Sequence, residues 1–237
     1  MPRLRSRHPR GDLYASVALV AGAIIALQIG IMRVFSVGSW AHFGSLVVSL
    51  AMLGFGLTSA VMAVKTRWFT QHWKAVTAAS LLAFGPLMVG ANLLAQQLPF
   101  NPIFLVADPM QKWRLAANFL LYLLPFLAGA AFLGVVFLRA RTTFSRFYFA
   151  DLAGAGVCGL LLLGAMWWLP PQDLIVVPLL LWAVGSALWF KALRLRRAMA
   201  ALAVLAVLVL ASGGAHLLLP QALGIPSLAV SDYKGVS

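Results

Sequence analysis

The residues RFYFADLAGAGVCG, Arg146 to Gly159, set one carboxylate, Asp151, between an aromatic and basic run and a ladder of small residues. An acid in such a place has two chemical uses. It can carry protons across an apolar barrier, or it can meet the unpaired amides and positive dipole end of a starting helix, worth roughly 0.3–1 kcal/mol at an exposed site. A proton relay wants further acids or histidines at similar depth. His42 and His216 fall toward the opposite ends of their apolar runs, so Asp151 is expected in the first turn or so of a helix, as a structural ion pair with Arg146 or with Arg139 or Arg141. Behind it, Ala150, Gly154 and Cys158 share one small face, with Asp151, Ala155 and Gly159 on the next, which suits close helix packing.

A second set of polar residues gathers toward the other surface. Arg33, His42, Asn92, Gln96, Asn118, Tyr122 and His216, with Gln28 and Asp173 nearby, outline a candidate polar cavity. The same residues also fit helix ends in contact with headgroups and water, where Arg33 can snorkel outward. One stripe is more regular: Asn118, Tyr122, Pro125 and Gly129 follow i, i+4, i+7, i+11, the spacing of a face turned to protein or to a cavity. Pro125 also leaves a carbonyl one turn earlier without its donor. This stripe predicts either a hydrogen bond to a partner helix or a bend around a small cavity.

The elements that must carry these groups are apolar helices. Hydrophobic residues make up 62% of the chain and charged ones 10%, too little polar surface for a soluble globule. Crossing a bilayer takes roughly 20 apolar residues in helical form, because lipid offers backbone groups no other hydrogen-bond partner. Seven runs qualify or nearly so: Leu13 to Ser36, Ala41 to Val64, Trp73 to Leu98, Leu115 to Leu138, Phe147 to Leu169, Leu174 to Phe190 and Met199 to Leu219. The fold class expected is all-α, a polytopic transmembrane helical bundle over residues 1–219 with an extramembrane tail at 220–237. The basic opening MPRLRSRHPR precedes an apolar run longer than a signal-peptide core, so the first run is read as a retained helix.

Of 18 lysines and arginines, 14 lie before the first run or in alternate loops, and Arg33, Lys112, Arg114 and Lys234 lie on the other side. The positive-inside rule then puts the N-terminus in the cytoplasm and, with seven spans, the C-terminus outside. The net charge of +13 serves topology, and no nucleic-acid partner is expected. In the second run Ser45, Ser49, Met52, Gly56 and Ala60 share a face, read as a helix-packing face. Trp68, Trp73, Trp113, Trp167 and Trp168 stand near run boundaries, as interfacial anchors do. The single cysteine, Cys158, excludes an intrachain disulfide and a cysteine-clustered metal site.

Two stretches carry a family resemblance. MRVFSVGSWAHFGSLVVSLAMLGFG, Met32 to Gly56, and SRFYFADLAGAGVCGLL, Ser145 to Leu161, resemble the membrane regions of large bacterial proteins that join a helical membrane unit to a spermine/spermidine-synthase-like domain. The closing VSDYKGVS resembles the segment leading into that domain. The resemblance implies a parent with an aminopropyltransferase-like α/β domain that binds decarboxylated S-adenosylmethionine and a polyamine. No glycine-rich adenosyl loop, no glutamate and only scattered aspartates (Asp12, Asp108, Asp151, Asp173, Asp232) occur here. No catalytic, cofactor or metal residue is therefore assigned, and no cofactor is expected in this chain.

The expected role is a noncatalytic membrane module anchoring a downstream synthase-like domain that is absent from the sequence. The alternative is a small-solute transporter or exporter of unknown ligand. A third reading, an integral membrane enzyme built from Arg33, His42, Asp108 and His216, requires those residues to converge. Seven spans would set a following domain outside the cytoplasm unless one span, such as the short sixth, fails to cross or a later helix returns the chain.

Overall fold

The computed structural model describes the backbone of residues 10–38, 41–98 and 108–218, and the side chains of 11–36, 44–95, 97–98, 108–171 and 173–209. Among the described residues eight α-helices follow one another: α1 (Arg10–Gly38), α2 (Ala41–Val64), α3 (Thr66–Gln71), α4 (Trp73–Gln96), α5 (Pro109–Arg139), α6 (Phe144–Ala165), α7 (Val176–Ala192) and α8 (Arg196–Leu218). Short 3-10 turns at Arg141–Thr143 and Pro171–Ile175 lead into α6 and α7. No strand occurs among the described residues. Among the described residues six stretches are long and apolar enough to cross a membrane, and α8, at 23 residues, has matching length. The fold is the all-α polytopic bundle expected, and α3 is a surface helix joining two of its spans. The sixth run, read as Leu174 to Phe190, is a span of 20 residues over Asp173–Ala192, one residue longer at its start and two at its end.

Local chemistry sets several helix ends. Asp108 caps α5, accepting from the Met110 amide at 2.9 Å, with Pro109 at the first helical position, where its missing N–H costs nothing. At the end of α7 the chain reverses through Arg194, whose φ of 54° is left-handed. The Leu195 amide reaches back to the Phe190 carbonyl at 2.9 Å and the Arg194 amide to Lys191 at 3.1 Å, the closing pattern usually built on glycine.

α1 is the axis of the bundle. It packs against α2, α6 and α7, while α5 pairs with α4 and α2, and α8 lies on α4 and α7. The pairings fix relative direction. Ala18 meets Gly154 and Gly22 meets Cys158, so α1 and α6 are parallel; Ser16 meets Gly185 and Gly30 meets Leu174, so α1 and α7 are antiparallel. Gly54 on Phe126 and Met62 on Gly134 make α2 and α5 parallel. These directions are those of a chain that reverses at every span.

Lipid tails are as apolar as leucine, so helices in a bilayer associate through close packing more than through water exclusion. Here glycines make the close approaches. A Cβ on Gly154 would strike the backbone of Ala18, and one on Gly22 would strike the side chain of Cys158. Gly85 makes room for the indole of Trp182, which donates through Nε1 to the Leu81 carbonyl at 2.6 Å. On the α1–α7 seam the Ser16 hydroxyl donates to the Gly185 carbonyl at 2.7 Å.

The expected packing face of α2 is corrected. Ser45, Ser49, Met52, Gly56 and Ala60 are exposed, and a Cβ on Gly56 would meet nothing within 4 Å. The buried face is the neighbouring one, with Gly44, Val47, Leu50, Ala51 and Gly54. Both faces carry small residues, and in lipid the outward face has no need to be polar, so composition alone pointed to the wrong one.

Candidate functional site

The regular stripe on α5 is buried as its spacing predicted: Asn118, Tyr122, Pro125 and Gly129 all face protein. Asn118 is a stitch between helix ends. Its amide donates to the Leu98 carbonyl, just past α4, at 2.9 Å and to the Arg114 carbonyl of its own helix at 3.0 Å, using both amide hydrogens. One turn on, the Tyr122 hydroxyl donates to Asn92 Oδ1 on α4 at 3.4 Å. The edge of the Phe35 ring packs on Tyr122 with centroids 5.8 Å apart.

Tyr122 and Asn92 border a small cavity of about 20 Å³ walled by Leu27, Gly30 and Ile31 of α1, Met88 of α4, and Pro171 and Leu174 of the 3-10 turn. That space suits about one water molecule, and the phenol and carboxamide offer it polar partners. Its chemistry is hydrogen bonding to a small neutral group. Neither polar side chain is a nucleophile or a general base at neutral pH.

Arg33 is exposed and does not line the cavity. The side chains of His42, Gln96 and His216 lie outside the described residues, as does the tail at 220–237. Asp108 caps α5. Among the described residues no group of three or more His, Cys, Asp or Glu side chains could hold a metal ion. Cys158 is a buried free thiol fitted against Gly22.

Asp151 requires a correction. α6 begins at Phe144 and has no acidic residue in its first turn, so the carboxylate stands about two turns inside the helix. The RTTFSR segment holds no proline or glycine to delay the helix, and it starts one turn before the apolar run. Among the described residues the carboxylate also has no ion-pair or hydrogen-bond partner, Arg146 included. Arg146 is exposed, and Asp151 is half-buried.

Two further polar groups are buried inside α7. Ser186 Oγ and Trp189 Nε1, one turn apart on α7, are buried without partners among the described residues. Trp189 packs edge-on against Phe132 at 4.9 Å. Trp182 lies mid-span, fully buried, and the only sequence sign of its place was the small residue Gly85 on a distant run.

No protein-family model, curated protein or solved structure matches the chain.

Proposed function

We propose that the chain is the noncatalytic membrane module of a spermidine-synthase-like membrane protein, and that it anchors an aminopropyltransferase-like domain at the bilayer surface. One observation carries the reading: the motifs behind the resemblance are spent on helix packing. In the first, Gly44 approaches Ser36 Oγ and Gly54 approaches Phe126, each with only 3.0 Å left for a Cβ. In the second, Gly154 and Cys158 form the seam with α1. Residues used to join helices build a scaffold, and the nearby polar cavity is water-sized. The reading predicts no aminopropyl or methyl transfer from an adenosyl donor by the purified chain. Such transfer would overturn it, as would a coding sequence beyond Ser237 that lacks a glycine-rich adenosyl-binding segment.

The same reading places the protein in the bacterial inner membrane with the N-terminus cytoplasmic, supported by the concentration of Lys and Arg at one end. A cysteine at Thr142 should then react with an impermeant maleimide only after permeabilisation, and one at Met110 in intact spheroplasts. The opposite labelling pattern would invert the orientation.

A second reading, a small-solute transporter, draws on the Tyr122–Asn92 cavity. It predicts solute flux in proteoliposomes that falls on Tyr122→Phe. Flux unaffected by that substitution would remove the cavity as its route.

A further inference from the structure

At the end of the bundle where α4 starts and α5 stops, two cations share one aromatic ring. Lys74 Nζ lies 5.6 Å from the centroid of the Trp73 ring and the Arg139 guanidinium carbon lies 5.8 Å from it. The two positive charges are thus held within the sum of those distances of each other. Among the described residues neither has a carboxylate partner, although Asp12 and Asp151 belong to the same end of the molecule. Both cationic side chains are exposed and Trp73 is half-buried, with no hydrogen-bond partner for its indole N–H among the described residues. Among the described residues nothing neutralises these two exposed cations, and the shared ring supplies only a weak attraction to each.

We propose that Trp73, Lys74 and Arg139 bind the phosphate group of an anionic phospholipid. Position argues for lipid over a free anion. Trp73 is the first residue of the apolar stretch Trp73–Ala95, and Arg139 is the last of Pro109–Arg139, so the three side chains stand at the level where a spanning helix leaves the hydrocarbon and headgroup phosphates lie. The short helix α3 packs against both α4 and α5 and bears Trp68, 50% exposed, next to Val64 at the end of α2, 85% exposed. These offer apolar surface beside the cations, as an acyl-bearing ligand requires and inorganic phosphate does not. Among the described residues the ammonium, guanidinium and indole N–H are donors without acceptors, and a phosphodiester supplies acceptor oxygens and negative charge.

The test is titration of the full chain, in zwitterionic detergent, with short-chain phosphatidylglycerol, bound lipid being counted by native mass spectrometry. Preference over phosphatidylcholine is expected. Lys74→Gln with Arg139→Gln should weaken phosphatidylglycerol binding at least about tenfold, from roughly one kcal/mol for each basic residue at an anionic surface. Trp73→Phe keeps the ring and removes the N–H, and should cost about two- to threefold. The control pair Arg196→Gln and Arg197→Gln, exposed cations in the first turn of α8, should cost less than the Lys74 and Arg139 pair. Equal loss in the control would reduce the effect to diffuse charge and overturn the site. So would equal affinity for the two lipids, or displacement of the lipid by millimolar inorganic phosphate, which would make the ligand a free anion.

Discussion

Among the described residues Asp151 is a carboxylate half-buried in a membrane helix without a partner, a cost that these neighbours do not offset, and this sets its expected behaviour. Removing its charge relieves desolvation and breaks no bond to a described residue. Asp151→Asn is predicted to leave stability unchanged or raise it in SDS titrations of the folded chain, and Arg146→Gln is predicted to show no coupling with it. A double-mutant cycle with a coupling of about 1 kcal/mol would instead establish the ion pair. The sequence could show that an acid precedes a small-residue ladder but not where the helix begins, because nothing in Arg141 to Arg146 marks a boundary. The hydrogen-bonded residues rank differently. Trp182→Phe empties a donor position against the Leu81 carbonyl in a fully buried place, a loss of about 1–3 kcal/mol. Tyr122→Phe removes only the 3.4 Å contact to Asn92 and should cost about 0.6 kcal/mol or less, near the average for hydrogen bonds between membrane helices. Equal losses for the two would contradict the assignment of Trp182 as a seam residue.

Among the helices, spacing was informative wherever one side of the helix had a polar job. The stripe Asn118, Tyr122, Pro125 and Gly129 was legible as protein-facing because lipid would leave an amide and a phenol unsatisfied. α2 lacked that contrast. Serine, glycine and alanine occur on adjacent faces, and either can lie against lipid or protein, so the choice was made by shape complementarity with α5 and could not be read from one chain segment. The two faces give a paired prediction. Gly54→Leu drives a side chain into Phe126 and Leu123, and should cost at least about 1–3 kcal/mol as an overpacked site. Gly56→Leu enters open space and should be tolerated. Similar unfolding midpoints for the two variants would show that the α2–α5 seam is misplaced.

For the molecule as a whole, the all-α bundle of about seven apolar helices was legible in length and hydropathy, because the bilayer imposes both. The candidate site was legible only in part. Its stripe was visible, but the sequence could not show that Arg33 would be exposed, that Asn118 would use its hydrogens on the Leu98 and Arg114 carbonyls, or that the remaining space would be only about 20 Å³. Those outcomes depend on how α1, α4, α5 and the turn before α7 close on each other. α1 is common to most of these contacts, so the seam it makes with α6 supports the entire bundle, and the motif that contains Asp151 is foremost a packing motif. The most direct measurement compares Gly154→Val with Gly156→Val by SDS-induced unfolding of the purified chain. Both add the same side chain two residues apart on α6. Gly154→Val collides with the backbone of Ala18, whereas Gly156 has nothing within 4 Å. A loss above about 3 kcal/mol, or failure to fold, is predicted for Gly154→Val alone, and matching stabilities would contradict the account.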